Sequence, residues 1–570
     1  MASLNTGVPH PDAEWLEPDG LGGFASGTVS GLRTRRYHGL LVAARRPPTE
    51  RMVLVSGCDA WVETPAGRFP ITSQRYAPGV VSPEGGRRLD SFRAHPWPRW
   101  TYVLDDGARI EHELFVPKGT AAAVLSWRAL DPAPGTRLVV RPFLAGRDYH
   151  ALHNENGDFW FDPEAEKGRL VWRPYSGVPG TVALSNGTYA HEPYWYRGFL
   201  YEEERARGLD FTEDLASPGT LTFDLCAQEA VLVLAAHVPT DPPPFQGQDA
   251  PAAVSSLRAT EGPRRAAFAS RLHRAADAYV VRRGAGPTIV AGYPWFTDWG
   301  RDTFIGLRGL CLAAGRLDEA RGILLEWAGA VSEGMLPNRF PDQGDAPEFN
   351  SVDASLWYVI AVHDYLQAAR ATARPISGEE RRLLLAAVDR LVAGYAAGTR
   401  HGIRMEADGL LAAGEPGVQL TWMDARVGSR VVTPRIGKPV EIQALWLNAL
   451  AIASSHTPSW KEPLARGLAA FRQRFWNESA GCLYDVVDCD HVPDTTDATL
   501  RPNQILAVGG LPLVLLEGER ARKVVDMVEE HLWTPLGLRT LAPGEPGYAP
   551  RCAGGVAERD SAYHQGTVWP

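Results

Sequence analysis

The sequence predicts a two-domain protein of mixed β and α class, an N-terminal antiparallel β-sandwich followed by a helical barrel. Three observations carry that expectation. From about residue 30 to 240, short runs such as "RMVLVSGCDAWVE", "WTYVLDDGARIEHELFVP" and "AVLVLAAHV" alternate β-branched and aromatic residues with polar ones, and no helical pattern separates them. The segment "VPTDPPPFQGQDAP" (238–251) is rich in proline and has no periodicity, as a linker does. Beyond it, from "RRAAFASRLHRAADAYVV" onward, apolar residues recur at helical spacing. The expected boundaries are a sandwich over 1–240, a linker over 241–261 and a helical domain over 262–570.

Each element follows from local pattern. Strands without crossover helices form hairpins and an antiparallel sandwich, and exclude a βαβ fold. The helical segments include "TFIGLRGLCLAAG", "LDEARGILLEWAGAV", "ASLWYVIAVHDYLQAA", "EERRLLLAAVDRLVAGYA", "EIQALWLNALAIASS" and "ERARKVVDMVEEHLW". Between them lie long loops such as "PNRFPDQGDAPEFN" and "TWMDARVGSRVVTPRIGKP". Loops of that length in a compact domain usually bind or catalyse. Helix pairs alternating with such loops predict a ring of hairpins with the loops gathered at one end.

Composition narrows the function classes. The 570 residues exceed one ordinary core; 22% are charged and 45% hydrophobic, and no apolar run reaches the length of a membrane span. The opening "MASLNTGVPHPDAEWLEPDG" lacks the basic flank and apolar stretch of a signal peptide, so a soluble, cytoplasmic protein is expected. The six cysteines form no CxxC pair and are expected reduced. A net charge of -9 and the lack of a basic stripe argue against nucleic acid as partner, and no membrane partner is expected. Eighteen Trp, 17 Tyr and 18 Phe suit the apolar faces of sugar rings and equally suit large cores.

Four stretches concentrate chemistry. "DGLGGFASGTVSG" (19–31) resembles a phosphate-cradling loop superficially, but no strand precedes it and no helix follows, so its glycines are read as turns and the nearby "TRRYHG" as structural. "YPWFTDWGRDTF" (293–304) sets the donor fork of Arg301 beside the acceptor Asp302 among aromatics. That arrangement grips adjacent sugar hydroxyls, and the bland alternative makes Asp302 a helix N-cap. "TWMDARVG" (421–428) sets Asp424 beside Trp422; a carboxyl against an indole is desolvated, its pKa rises, and it becomes a general acid, unless it is an ordinary turn former. Nearby "TPRIGKPVEIQALW" adds Arg435, Lys438 and Glu441, the last also placed as a favourable charge at a helix start. The ending "RDSAYHQGTVWP" gathers Tyr563, His564, Gln565 and Trp569 in one run. Metal-ligand spacings, a nucleophile elbow and a Walker loop are all absent, so no metal and no cofactor is expected. Carboxylates, Trp, Arg and amides remain, an inventory that suits glycoside hydrolysis.

At these residues the chain resembles a known family. "EWLEPDGLGGFASGTVSGLRTRRYHGLLVA" is similar to the opening of the N-terminal domain of bacterial and archaeal glycogen debranching enzymes. "YPWFTDWGRDTFIGLRGL", "GMLPNRFPD", "SVDASLWYV", "TWMDARVG", "TPRIGKPVEIQALWLNAL", "RPNQILAV" and "YHQGTVWP" resemble the amylo-α-1,6-glucosidase domain, in the same order from about Glu14 to Pro570. The resemblance implies a β-sandwich followed by an (α/α)6 barrel of the glucoamylase-like type, and inverting hydrolysis of α-1,6-glucosidic branch linkages in glycogen or limit dextrin. It implies that Trp299, Arg301 and Asp302 bind the glucose whose bond is cut, with Asp424 as general acid. Trp422, Lys438, Glu441, His564 and Gln565 would line the same pocket.

The same resemblance implies that the chain continues after "QGTVWP" into another helix pair and a loop of the GxIPE type holding the general base. The barrel counted from Arg264 shows about ten helices where twelve complete the ring, so the expectation is an incomplete barrel, truncated at the C-terminus, with the tail opening an eleventh helix. Glu558 and Asp560 are the late carboxylates that could substitute as base. The N-terminal half lacks the strand–helix alternation of the transferase barrel that eukaryotic debranching enzymes carry. The competing expectations are a glycan-binding protein without turnover and a glucoamylase-like or trehalase-like hydrolase.

Overall fold

The computed structural model describes residues 10–166, 168–238, 242, 244–340, 346–372 and 376–569. Parts of the opening segment, of the expected linker and of the 337–350 loop lie outside the described residues, as does the side chain of Trp569. The chain divides into two compact units, Met1–Ala285 and Gly286–Pro570. No helix among the described residues is long and apolar enough to cross a membrane.

The first unit is the expected antiparallel sandwich. One sheet has ten strands, running from Glu14–Pro18 through Phe24–Thr28, Gly39–Arg46, Thr49–Thr64, Arg137–Asp148, Thr212–Asp224 and Thr188–Leu200 to Ser73–Tyr76 and Val80–Glu84, with Gly67–Pro70 beside Thr49–Thr64. The other has eight, from Glu164–Glu166 to Leu89–Arg93, with Ala230–His237 and Ala122–Ala129 paired at its centre. Strand period explains why these two central strands are apolar throughout. Ala123, Leu125 and Trp127 join Leu232 and Leu234 in the core between the sheets, where they meet Leu138, Val140 and Val62. Their neighbours Val124, Val231, Val233 and Ala235 point the other way and are covered by Ala250, Ala253 and Val254.

Those covering residues belong to a helix, Ala250–Ala266, that begins inside the segment expected to be a linker and runs past its end. Asp249 caps it by accepting from the Ala252 amide at 3.2 Å. Arg258 reaches Glu229 at 2.7 Å and Ser126 Oγ at 2.5 Å, and Arg265 reaches Glu17 at 2.6 Å. The division between compact units therefore falls after Ala285 rather than within 241–261, because an apolar sheet face recruits the chain that follows it.

The second unit is built of helical hairpins. Inner elements Gly300–Leu307, Asp353–Ala371, Val440–Ser454 and the 3₁₀ segment Pro502–Ala507 pack side by side; Leu317–Gly329, Gly378–Ala397, Lys461–Arg474 and Gly518–Leu532 return outside them. Val440–Ser454 is buried nearly all round, as an inner helix must be. Gly378–Ala397 buries one stripe only, Leu384, Ala387, Val388, Leu391, Val392 and Tyr395, and begins with a Ser377–Glu380 capping box. Phe304 packs edge-on against Trp327 and Tyr358, each at 5.1 Å, tying three of these helices together. Val556–Ala562 is the last helix described. Its last residues, Arg559–Ala562, open the stretch expected to start an eleventh helix; beyond them Gly566 sits at φ +126° and the chain turns into Val568–Trp569, which pairs with Gly537–Arg539.

Two predictions follow from packing and burial. A Cβ on Gly334 would lie 2.5 Å from Gly394 Cα, so backbone touches backbone there. Gly394→Ala should lower stability by about 1–3 kcal/mol; an unchanged thermal midpoint would contradict the contact. His112 stacks between Trp100 (5.0 Å) and Trp127 (4.6 Å), its Nδ1 lies 2.9 Å from the Ser126 carbonyl oxygen, and burial pushes its pKa down to about 4. Below its ordinary 6.5 the unfolded chain takes the proton and the folded chain does not, so this stability is present above 6.5 and is lost as pH falls toward 4. Between pH 7.5 and 5 the wild type should lose about 2 kcal/mol more than His112→Phe; parallel unfolding profiles would contradict it.

Candidate active site

The site is built from the second unit's inner helix starts and the loops before them. Gly300 opens the Gly300–Leu307 helix because nothing larger fits: a Cβ there would lie 2.6 Å from the Pro337 carbonyl oxygen. Asp302 is not the N-cap, a place Trp299 takes; it lies within the first turn. Successive helical residues diverge by about 100°, so Arg301 turns inward and is buried, while Asp302 and, one turn on, Ile305 are open to solvent.

Arg301 bridges two acids. Its Nε donates to Asp353 Oδ2 at 2.8 Å and its Nη1 to Asp424 Oδ2 at 3.0 Å, while Ser351 Oγ donates to Asp353 Oδ1 at 2.5 Å. Burial disfavours the guanidinium charge, and the two carboxylates outweigh it, so Arg301 stays protonated. On the far side of Asp424, His564 Nε2 lies 3.6 Å from Oδ1. Burial holds the His564 ring below its ordinary pKa, so it is neutral at pH 7.

These neighbours overturn the expected rise in the Asp424 pKa. Burial does push the carboxyl up, but His564 and Arg301 together outweigh it and leave the group below its ordinary value. Trp422 is not the dominating neighbour: it meets the His564 ring edge-on at 5.3 Å and points its Nε1 to Asn503 Oδ1 at 2.8 Å. Asp302 shifts the other way. Although Asp302 is exposed, the protein around it, with the like charges of Asp424 and Asp353, raises its pKa against the pull of Arg301. Tyr563, pushed up to about 12 by burial, feels both Asp424 and Asp302, and Asp560 as well.

Three residues expected in the pocket are committed elsewhere. Lys438, 1% exposed, is held by Glu406, Asp408 and Asp488 at 2.8, 2.8 and 2.9 Å. Glu441 accepts both Nη groups of Arg435, which also reaches Asp485 at 2.7 Å. Gln565 donates to Thr433 Oγ1 at 2.7 Å and accepts from Arg501 Nη2 at 3.3 Å. Of the late carboxylates, Glu558 is exposed beside Gly554 and Gly555, and Asp560 is half-buried one turn before Tyr563.

Sequence reasoning gave no role to Ser351, Asp353, Asp485, Arg501 or Asn503. The two short motifs "SVDASLWYV" and "RPNQILAV" contain four of them, but their partners lie 50 or more positions away for Arg301 and no local period reveals such a pairing. Together Arg435, Arg501, Glu441 and Asp485 form a buried group of two cations and two anions, with Arg501 Nε 3.8 Å from Asp485 Oδ2. From this group Asn503 donates to Asp485 Oδ1 at 2.9 Å and accepts Trp422, and Arg501 Nη1 donates to the His564 carbonyl at 3.1 Å. Both walls beside Asp424 are thus anchored in it.

Arg435→Ala leaves two buried carboxylates short of their cation and should cost about 3–5 kcal/mol. Arg466→Ala, which breaks an exposed pair with Glu462 at 3.2 Å, should cost less than about 1 kcal/mol. Equal shifts in the thermal midpoint would contradict the difference in burial.

Comparison with known proteins identifies the chain's relatives. The amylo-alpha-1,6-glucosidase family model matches residues 274–570, and the model described as glycogen debranching enzyme N terminal matches residues 13–232. The chain is 26% identical over 381 residues to a glycogen debranching enzyme of Saccharomyces cerevisiae, covering 50% of this chain and 24% of the yeast protein. It thus spans about a quarter of that relative's length. Among solved structures it is similar to a bacterial glucoamylase complexed with acarbose, with TM-score 0.53 and 12% identity over 92% of this chain and 81% of that one, a likeness of fold. The β-sandwich with a glucoamylase-like helical unit is therefore the architecture, and the chain belongs to the glycogen debranching enzyme family of glycoside hydrolases.

Proposed function

We propose that this chain hydrolyses α-1,6-glucosidic branch linkages in glycogen or a related branched α-glucan, with inversion, and that Asp424 delivers the proton to the leaving oxygen. The observation that carries this reading is the grouping of Asp424 with a fixed cation, Arg301, and a neutral buried imidazole, His564, beside the open carboxyl of Asp302. Adjacent donors and acceptors on Arg301 and Asp302 match two neighbouring hydroxyls of one glucosyl ring. Trp422, half-buried and fixed by Asn503, offers an aromatic surface beside them. The six cysteines are unpaired, which fits a reducing compartment, and we place the protein in the cytoplasm.

In the free protein Asp424 is ionised. A glucosyl unit that draws Arg301 toward its own hydroxyls and excludes water from Asp424 weakens what holds the carboxylate and strengthens the effect of burial. Both changes raise the pKa, so the proton is acquired in the complex. Inversion also requires a base about 6.5–9.5 Å from the acid with a water between. Of the carboxylates expected to substitute, Asp560 is half-buried one turn before Tyr563 and is the one we favour over the exposed Glu558. The resting charge of Asp424 favours one second reading, a glycan-binding protein that holds the sugar without turnover.

Two measurements bear on this. Asp424→Asn should reduce glucose release from an α-1,6-glucosyl maltosaccharide by about 100-fold or more, with affinity for glucose within about twofold of wild type; unchanged release would remove Asp424 from the chemistry. The alkaline limb of kcat should lie at higher pH than that of kcat/KM, because the first reports Asp424 in the complex and the second in the free protein. Coincident limbs would contradict a proton acquired on binding.

A further inference from the structure

In the first unit, the outer face of the ten-stranded sheet carries aromatic and charged residues that neither the core nor the hydrolytic chemistry uses. Strand period puts them there: Ala60, Val62, Leu138, Val140 and Trp195 point into the core, so Trp61, Arg141, Tyr194 and Tyr196 point out. The half-buried Arg141 guanidinium lies 5.2 Å from the Trp61 ring centre and 5.3 Å from that of Tyr196. The exposed Arg68 covers Trp61 at 3.8 Å. Tyr196 meets Tyr194 edge-on at 5.5 Å, and Tyr194 is 58% exposed. Among the described residues neither Arg68 nor Arg141 donates a hydrogen bond to protein, so the rings hold the two guanidinium groups while their N–H edges stay open. The strands follow one another as Gly67–Pro70, Thr49–Thr64, Arg137–Asp148, Thr212–Asp224 and Thr188–Leu200. At about 4.8 Å per strand, the stripe runs about 19 Å across the sheet.

Charge decides what such a stripe can hold. Register sets Arg68 opposite Glu63, Glu63 opposite Arg137 and Arg137 opposite Asp224, so the sign alternates from strand to strand, and Asp59 faces Arg141. A polyanion laid along this row meets acids as often as cations, and the net charge of -9 opposes it further. A neutral chain of hydroxyl-rimmed rings fits: apolar ring faces lie on the tyrosines, and hydroxyls accept from the arginines and donate to the carboxylates. The length of the stripe suits several linked rings rather than one. We propose that Arg68, Arg141, Tyr194 and Tyr196 bind an unbranched run of the α-glucan, separate from the glucosyl unit that Arg301 and Asp302 take. This rests on the proposed substrate, a branched α-glucan. Two weak contacts on one polymer reinforce each other through effective concentration, whereas a short oligosaccharide gains nothing from the second.

Affinity electrophoresis of the full chain through glycogen-containing gels, set beside glucose release from a short α-1,6-glucosyl maltosaccharide, tests this. The double variant Tyr194→Ala with Arg68→Gln changes two exposed side chains and should keep the wild-type thermal midpoint. Its retention by glycogen should weaken by about tenfold, with release from the short substrate within about twofold of wild type. Tyr194→Trp should retain glycogen at least as well as wild type. Unchanged retention in the double variant refutes the stripe and leaves the hydrolytic reading intact. Retention that polyphosphate relieves and linear maltosaccharide does not also refutes it, as does loss of release from the short substrate in step with retention. If the wild type is retained through these residues yet releases no glucose, the stripe stands and the hydrolytic reading fails; if it is neither retained nor active, both fail.

Discussion

Arg435 is the residue on which the site depends. It is buried with Glu441 on one side and Asp485 on the other, and a guanidinium can serve both only because its five donors form a rigid planar fork. Arg501 balances the second acid, so the group buries charge without a net excess. What it does for function lies at its edge. Asn503, oriented by Asp485, fixes the indole of Trp422, and Arg501 fixes the backbone of His564. A second anchor acts from the opposite side, where Asp353 and Ser351 hold Arg301 at the angle that presents Nη1 to Asp424. Asp424 is therefore positioned by partners that are themselves pinned, which is the arrangement that keeps a reactive carboxyl within a narrow range of orientations.

That arrangement also explains a tension in the chemistry. The neighbours of Asp424 are a cation and an imidazole 3.6 Å away, and both favour its charged form. A group so placed is accurately aimed and wrongly protonated for an acid until a ligand changes its surroundings. Asp302, one residue from Arg301 and exposed, feels the opposite influence and is pushed toward its neutral form. Two neighbouring carboxyls thus have pKa values driven in opposite directions, which is how a protein separates the protonation states of paired acids.

The sandwich and the inner and outer helices were legible in the sequence because their periods of 2 and 3.6 are local. The helix over the second sheet face was not, since Ala250, Ala253 and Val254 follow a proline-rich stretch and carry little pattern until the sheet they cover is known. In the site, Trp422, Asp424, Arg301, Asp302 and His564 were legible as chemistry crowded into loops. Lys438 and Glu441 were placed in the same pocket by the family resemblance, whereas each has protein partners of opposite charge, Lys438 in Glu406, Asp408 and Asp488, and Glu441 in Arg435. A charged residue within a motif gives no sign of whether it faces ligand or protein, and only the three-dimensional pairing decides that.

The central claim is that Asp424 is held charged by Arg301 and His564 in the free protein and becomes the proton donor when a glucosyl unit displaces that hold. The most direct test is the carboxyl carbon titration of Asp424, assigned with Asp424→Asn, recorded without ligand and with saturating isomaltose. The account predicts a free-state pKa below the ordinary 3.8 and a clear rise in the complex. A free-state value at or above 3.8, or no change on binding, would contradict it.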